Sequence, residues 1–164
     1  MKFQVIHDYV KDSEHTFKML TDPVSHIKKY EAAGCKNITI DSCEEVNGAI
    51  VIKATRDAPS TAPKFAKKIL GDYNTLVSED IWEISDTPVK KGSFTVEING
   101  APVTMKGLME LRPQGDGAEV VIDLDLKVNV PFLGKKIEPF LKDDTVAALD
   151  SDQEFFRGFE QTYS

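Results

Sequence analysis

Cysteine is scarce in this sequence: there are two, Cys35 and Cys43. That is too few for a disulfide scaffold, and no Cys-x-x-Cys pair is present. Both fall in a stretch that reads as extended, eight residues apart. At about 3.3 Å of rise per residue they lie too far apart to bridge, so free thiols in a reducing cytoplasm are expected. Histidine is also sparse, with His7, His15 and His26. None of these pairs at i, i+4, and no Cys/His cluster has zinc spacing, so no metal or cofactor is expected. Long apolar runs are missing, and no stretch nears the roughly 20 apolar residues of a membrane span. His7 and Asp8 interrupt any apolar segment near Met1, so no signal peptide is expected. Cations are in deficit. Lys and Arg total 20 against 27 Asp and Glu, for a net charge of −7. This argues against broad contact with nucleic acid or anionic membrane, while leaving room for a local basic patch. Gly-x-Gly-x-x-Gly, Gly-x-x-x-x-Gly-Lys and Gly-x-Ser-x-Gly are all absent, which removes support for dinucleotide, phosphate-loop and nucleophile-elbow chemistry.

What is present is a globular composition. Of 164 residues, 41% are hydrophobic and 29% charged, which suits one folded domain over 1–164. A chain of this length buries roughly 68–70% of its unfolded surface, enough for a core and a cavity.

The patterning is mostly period two. Phe3 to Val10 alternates as a first strand. Asp12 or Ser13 caps a short helix carrying Phe17 and Leu20. Pro23 opens a second helix, Val24 to Ala33, and Gly34 stops it. A strand begins at Lys36, with Ile38 and Ile40 in phase, and turns back at Asn47-Gly48 into Ala49–Thr55. Ser60 to Leu70 reads as a short helix around Pro63. Strands then run over Asn74–Ser85, Gly92–Ile98, Pro102–Arg112 and Ala118–Val128, before a helix from about Leu133 to Phe159.

The fold class is therefore α+β: a curved antiparallel sheet of about seven strands around a long C-terminal helix, with two short helices after strand 1. The sheet needs a cover for its apolar face, and the last helix is the one large apolar element left. This order resembles the START-like, or helix-grip, superfamily that includes the birch-pollen-allergen-like proteins. More narrowly, it resembles a bacterial family of that superfamily with no assigned function. The resemblance spans nearly the whole chain and is best from Glu79-Asp80-Ile81-Trp82 through Leu141. It rests on Ile98-Asn99-Gly100-Ala101-Pro102-Val103, and on Leu111-Arg112-Pro113 with Gly115-Asp116-Gly117. It also rests on the run Val128 to Glu138, which leads into the last helix. The resemblance implies a hydrophobic ligand cavity and brings no catalytic residues with it.

Phase proposes the cavity wall. Val120, Ile122, Leu124 and Leu126 share one face, opposite Glu119, Asp123, Asp125 and Lys127. Val103, Met105, Met109 and Leu111 share another, with the small Gly107 between them, and Phe94, Val96 and Ile98 a third. Ser78, Asp80 and Trp82 align with Leu76. On the last helix Ile137, Leu141 and Ala148 recur near helical spacing. Asp80 stands out, because a carboxylate on an apolar face must be paired or must hold a polar group. His7, in phase with Phe3 and Val5, is the second such position.

The expected ligand-binding set is Asp80, Ser78, His7, Trp82, Met105, Met109, Leu124, Leu141 and Ile137. The expected function is non-catalytic binding or transport of a hydrophobic small molecule, lipid or polyketide-like. One alternative is a cyclase or hydratase using Asp80 or His7 as acid/base. Another is an interaction module with a filled core. Lys64, Lys67 and Lys68 beside Phe65 suggest transient membrane contact through 60–70.

Overall fold

The computed structural model describes residues 1–60 and 64–164. Seven antiparallel strands form one sheet in the order β1-β7-β6-β5-β4-β3-β2. The strands are β1 Lys2–Tyr9, β2 Lys36–Val46, β3 Ala49–Pro59, β4 Tyr73–Glu83, β5 Lys90–Ile98, β6 Val103–Gln114 and β7 Gly117–Val128. The helices are α1 Ser13–Leu20, α2 Pro23–Ala32, α3 Lys64–Leu70 and α4 Gly134–Phe159.

Local chemistry accounts for the punctuation. Asp12 caps α1 by accepting from the His15 amide at 2.9 Å, and Asp22 caps α2 by accepting from Val24 at 2.9 Å. The β2–β3 hairpin turns on Asn47 at φ 51° and Gly48 at φ 76°, the left-handed pair that a two-residue turn demands. Several boundaries differ from the sequence reading by one or more residues, those of β3, β5 and α3 among them. β3 runs past Thr55 because Ala58 and Pro59 still pair with Asn74 and Tyr73. β5 starts earlier, at the buried Lys90, whose ammonium reaches the Ser85 carbonyl and lies 3.6 Å from Glu14. The helix expected over Ser60–Leu70 is seen as α3 from Lys64, and residues 61–63 lie outside the described residues.

The concave face of the sheet carries the core. Along β7 every second residue from Ala118 to Val128 is buried, while Asp123, Asp125 and Lys127 face solvent. One apolar cluster joins β1, β6 and β7 to Met19, Trp82 and Phe156. A smaller one joins Val103, Leu126 and Val128 to Ile137 and Leu141. Helix α4 is thus held near its start by Ile137 and Leu141 and near its end by Phe156. Cys35 is half-buried, Cys43 is exposed on β2, and both are free. Among the described residues no helix is long and apolar enough to cross a membrane.

Candidate functional site

Between the two anchor points of α4, the helix and the sheet stand apart around a cavity of about 360 Å³. The inward side chains of this span are Asp144, Thr145, Ala148, Leu149 and Asp152. Asp144, Thr145, Ala148 and Asp152 are small or polar where a packed helix would place Leu or Phe, and Leu149 is the one bulky apolar side chain of the five. The opposite wall follows from register. Ala54 pairs Ser78, Ser78 pairs Val96, and Val96 pairs Met105, all on one row across β3–β6. The next row runs from Asp80 to Phe94 to Gly107. A Cβ on Gly107 would fall 2.1 Å from the Phe94 ring, so the missing side chain is what lets that ring lie flat against the sheet.

Of the nine residues expected to touch a ligand, Asp80, Ser78, His7, Trp82, Met105, Met109 and Leu141 line the cavity. Leu124 and Ile137 do not. Leu124 sits opposite Gly107 in the main core at 2% exposure, and Ile137 is enclosed with Leu126 and Val128 at the helix anchor. Phase places both on the correct face; packing depth removes them from the cavity.

Several lining residues carry charge that the sequence reading passed over. Arg56 donates from Nη1 to Ser78 Oγ at 2.8 Å, and its guanidinium lies 4.1 Å from the Tyr30 ring centre. Lys29 lies 3.8 Å from Asp152, over the Tyr30 and Phe156 rings. His26 donates from Nε2 to the Leu20 carbonyl at 2.8 Å, which leaves Nδ1 without its proton and, among the described residues, without a partner. The signals were present. His26, Lys29 and Tyr30 stand at i, i+3 and i+4 on α2, and Asp144, Ala148 and Asp152 repeat every fourth residue on α4.

The cavity lining is mixed. Trp82, Phe94, Met105 and Met109 are apolar, while Lys29, Arg56, Ser78, Asp80 and Asp152 form an interacting polar group, with Asn74, Asp144 and Thr145 adding further polar lining. Burial drives most of the electrostatics there. Burial, then the Lys29 charge, lowers His26 to about 4, so its imidazole is neutral near pH 7. Burial also lowers His7, outweighing Asp150 at 3.5 Å. Burial raises the Asp152 carboxyl against the pull of Lys29 and Arg56. Burial opposes the Lys29 ammonium, but Tyr30, Asp152 and Asp80 outweigh it and hold Lys29 above its usual value. No set of three or more His, Cys, Asp or Glu among the described residues is placed to hold a metal ion.

A pH effect follows from His26. Its folded pKa lies below the unfolded value of 6.5, so on acidification the unfolded chain takes up the proton first. The loss of stability begins as pH falls through 6.5 and is complete near 4, with a ceiling of roughly 3 kcal/mol. Asp152, raised in the folded state, acts in the opposite sense, so the effect is read as a difference between proteins. Urea melts at pH 7 and pH 4.5 should show the parent losing more stability than His26→Gln. Equal losses would remove this account.

An antiparallel sheet gripping one helix across a cavity defines the helix-grip, START-like class, and solved structures agree. One is TTHA0849 from Thermus thermophilus, at TM-score 0.64 and 13% identity, covering 94% of this chain and 95% of that one. Ara h 8.0201 aligns at TM-score 0.56 and 11% identity, over 94% and 96% of the two chains. Ms6760 from Mycobacterium smegmatis aligns at 0.62 and 8%, over 99% and 92%. At these identities the likeness shows the fold alone. The chain itself belongs to the family described as Protein of unknown function (DUF2505), whose model matches residues 4–159. A comparison with curated proteins gives no match.

Proposed function

We propose that this protein binds or carries a hydrophobic small molecule in the cavity between the sheet and α4, without chemically changing it. The observation that supports this most is the lining of the cavity. A cavity of about 360 Å³ has a largely apolar lining and an interacting polar group made of Lys29, Arg56, Ser78, Asp80 and Asp152. That volume falls in the range of small-molecule sites, and that distribution buries a ligand body while orienting one polar group. Burial of apolar ligand surface supplies affinity at about 25 cal/mol per Å². Arg56, Ser78 and Asp80 set the orientation. Two free thiols favour a reducing compartment, and we place the protein in the cytoplasm.

The test is native mass spectrometry of protein purified from its own host, followed by solvent extraction. A discrete added mass that matches an extracted hydrophobic compound is the expected result. A clean unliganded mass, with no thermal shift across a panel of fatty acids, sterols and polyketides, would sink the reading. If the compound returns chemically altered by the parent but intact from Asp80→Asn at equal affinity, the site is catalytic instead.

A further inference from the structure

Away from the cavity, a group of apolar side chains lies in solvent where β7 gives way to α4. Phe132 is 98% exposed and Leu133 is 47% exposed. Phe132 also holds φ at 65°, a left-handed conformation that is costly for a bulky residue. Its ring gains nothing from burial, so folding does not account for it. Two helical turns after Leu133, on the same side of α4, Phe140 is 46% exposed. Phe140 meets Phe65 of α3 edge-on, with ring centres 5.1 Å apart, and Phe65 is itself 47% exposed. The first turns of α4 and α3 thus present one apolar ridge.

The charge around this ridge runs against that of the whole chain. Lys135 and Lys136 are exposed beside Phe132, and Lys64 and Lys68 are exposed beside Phe65. Glu138 turns inward. It accepts from the Val128 amide at 3.2 Å and lies 3.8 Å from the amino terminus. The exposed Asp143 stands one turn beyond Phe140, so between 132 and 143 the exposed lysines Lys135 and Lys136 face one exposed carboxylate. A basic, aromatic ridge therefore stands on a protein of net charge −7.

We propose that this ridge docks on an anionic lipid bilayer. Phe132 and Leu133 enter the headgroup–acyl boundary, and the lysines lie at phosphate level. The sequence directs membrane contact to 60–70 alone; the structure adds the segment 132–140 and makes Phe132 the leading side chain. A second copy of the chain is a poorer occupant, because self-pairing would press lysines against lysines. Docking is independent of what the cavity holds. It does have a spatial consequence for the cavity, because Phe140 adjoins Leu141 of the wall.

The test uses the full chain with vesicles of phosphatidylcholine, alone or with roughly one-third phosphatidylglycerol. In Phe132→Trp the new indole should shift its emission to the blue on anionic vesicles, over a constant background from Trp82, which is 2% exposed. Phe132→Asn keeps the left-handed turn with a residue that tolerates it, so its fold should persist while vesicle affinity falls about tenfold or more. Three results would overturn the proposal. One is equal affinity of Phe132→Asn and parent. Another is equal affinity for neutral and anionic vesicles, or for neither. The third is a concentration-dependent dimer that Phe132→Asn abolishes, which would give the ridge to a second copy. None of these outcomes depends on extraction of a cavity ligand.

Discussion

Glu160→Ala should lower stability by about 3–4 kcal/mol. Glu160 has 0% exposure, yet among the described residues no cation forms an ion pair with it. Its carboxylate instead accepts from the Val10 amide at 3.2 Å and the Lys11 amide at 2.8 Å, where β1 ends ahead of α1. These amides have left the sheet ladder and have not yet joined a helix. Alanine would leave both donors unpaired next to a void. In a chain of this size the change corresponds to a fall of roughly 6–16 °C in Tm. Glu160→Gln keeps one carbonyl acceptor and should cost about half as much. Calorimetry of the three proteins decides it. An alanine variant as stable as the parent would show that water replaces the carboxylate and that this link does not hold the helix end.

Val96→Trp should leave the fold intact and reduce uptake of an extracted ligand by about 100-fold. Val96 lies mid-wall between Ser78 on β4 and Met105 on β6, with its side chain in the cavity. An indole there occupies space the ligand needs. The empty volume in front of it spares the protein the about 1–3 kcal/mol that overpacking a filled core would cost. Circular dichroism and thermal melts should match the parent or improve, while titration with the ligand shows the loss. Unchanged uptake would place the ligand elsewhere. A large fall in Tm would mean that the cavity closes in solution and that the core is filled.

The contrast between these two sites explains which features are visible in the sequence. β7 is legible because one of its faces meets water, so Asp123, Asp125 and Lys127 mark every second position. The Asn47-Gly48 turn is legible because few residues accept its dihedral angles. The cavity is only half legible. Periodicity tells which face a residue takes, but not how closely α4 crosses above it. Leu124 and Val96 therefore read alike, and one ends in the core while the other lines the cavity. Lys29, Arg56 and Asp152 escape for another reason. Charges normally mark a wetted surface, and an internal polar cluster declares itself only when α2, β3 and α4 come together. Phe132 reads as one more apolar residue until its surroundings prove to be solvent.

The way α4 is fastened also bears on how the family can diversify. The helix is secured by Ile137 and Leu141 at one end and Phe156 at the other, and between them Val146 and Leu149 pack on the core while Asp144, Thr145 and Ala148 face the cavity. Substitutions at those three cavity-facing positions would reshape the space without loosening these attachments. On the proposed function, foldability and ligand choice would then be inherited on largely different residues.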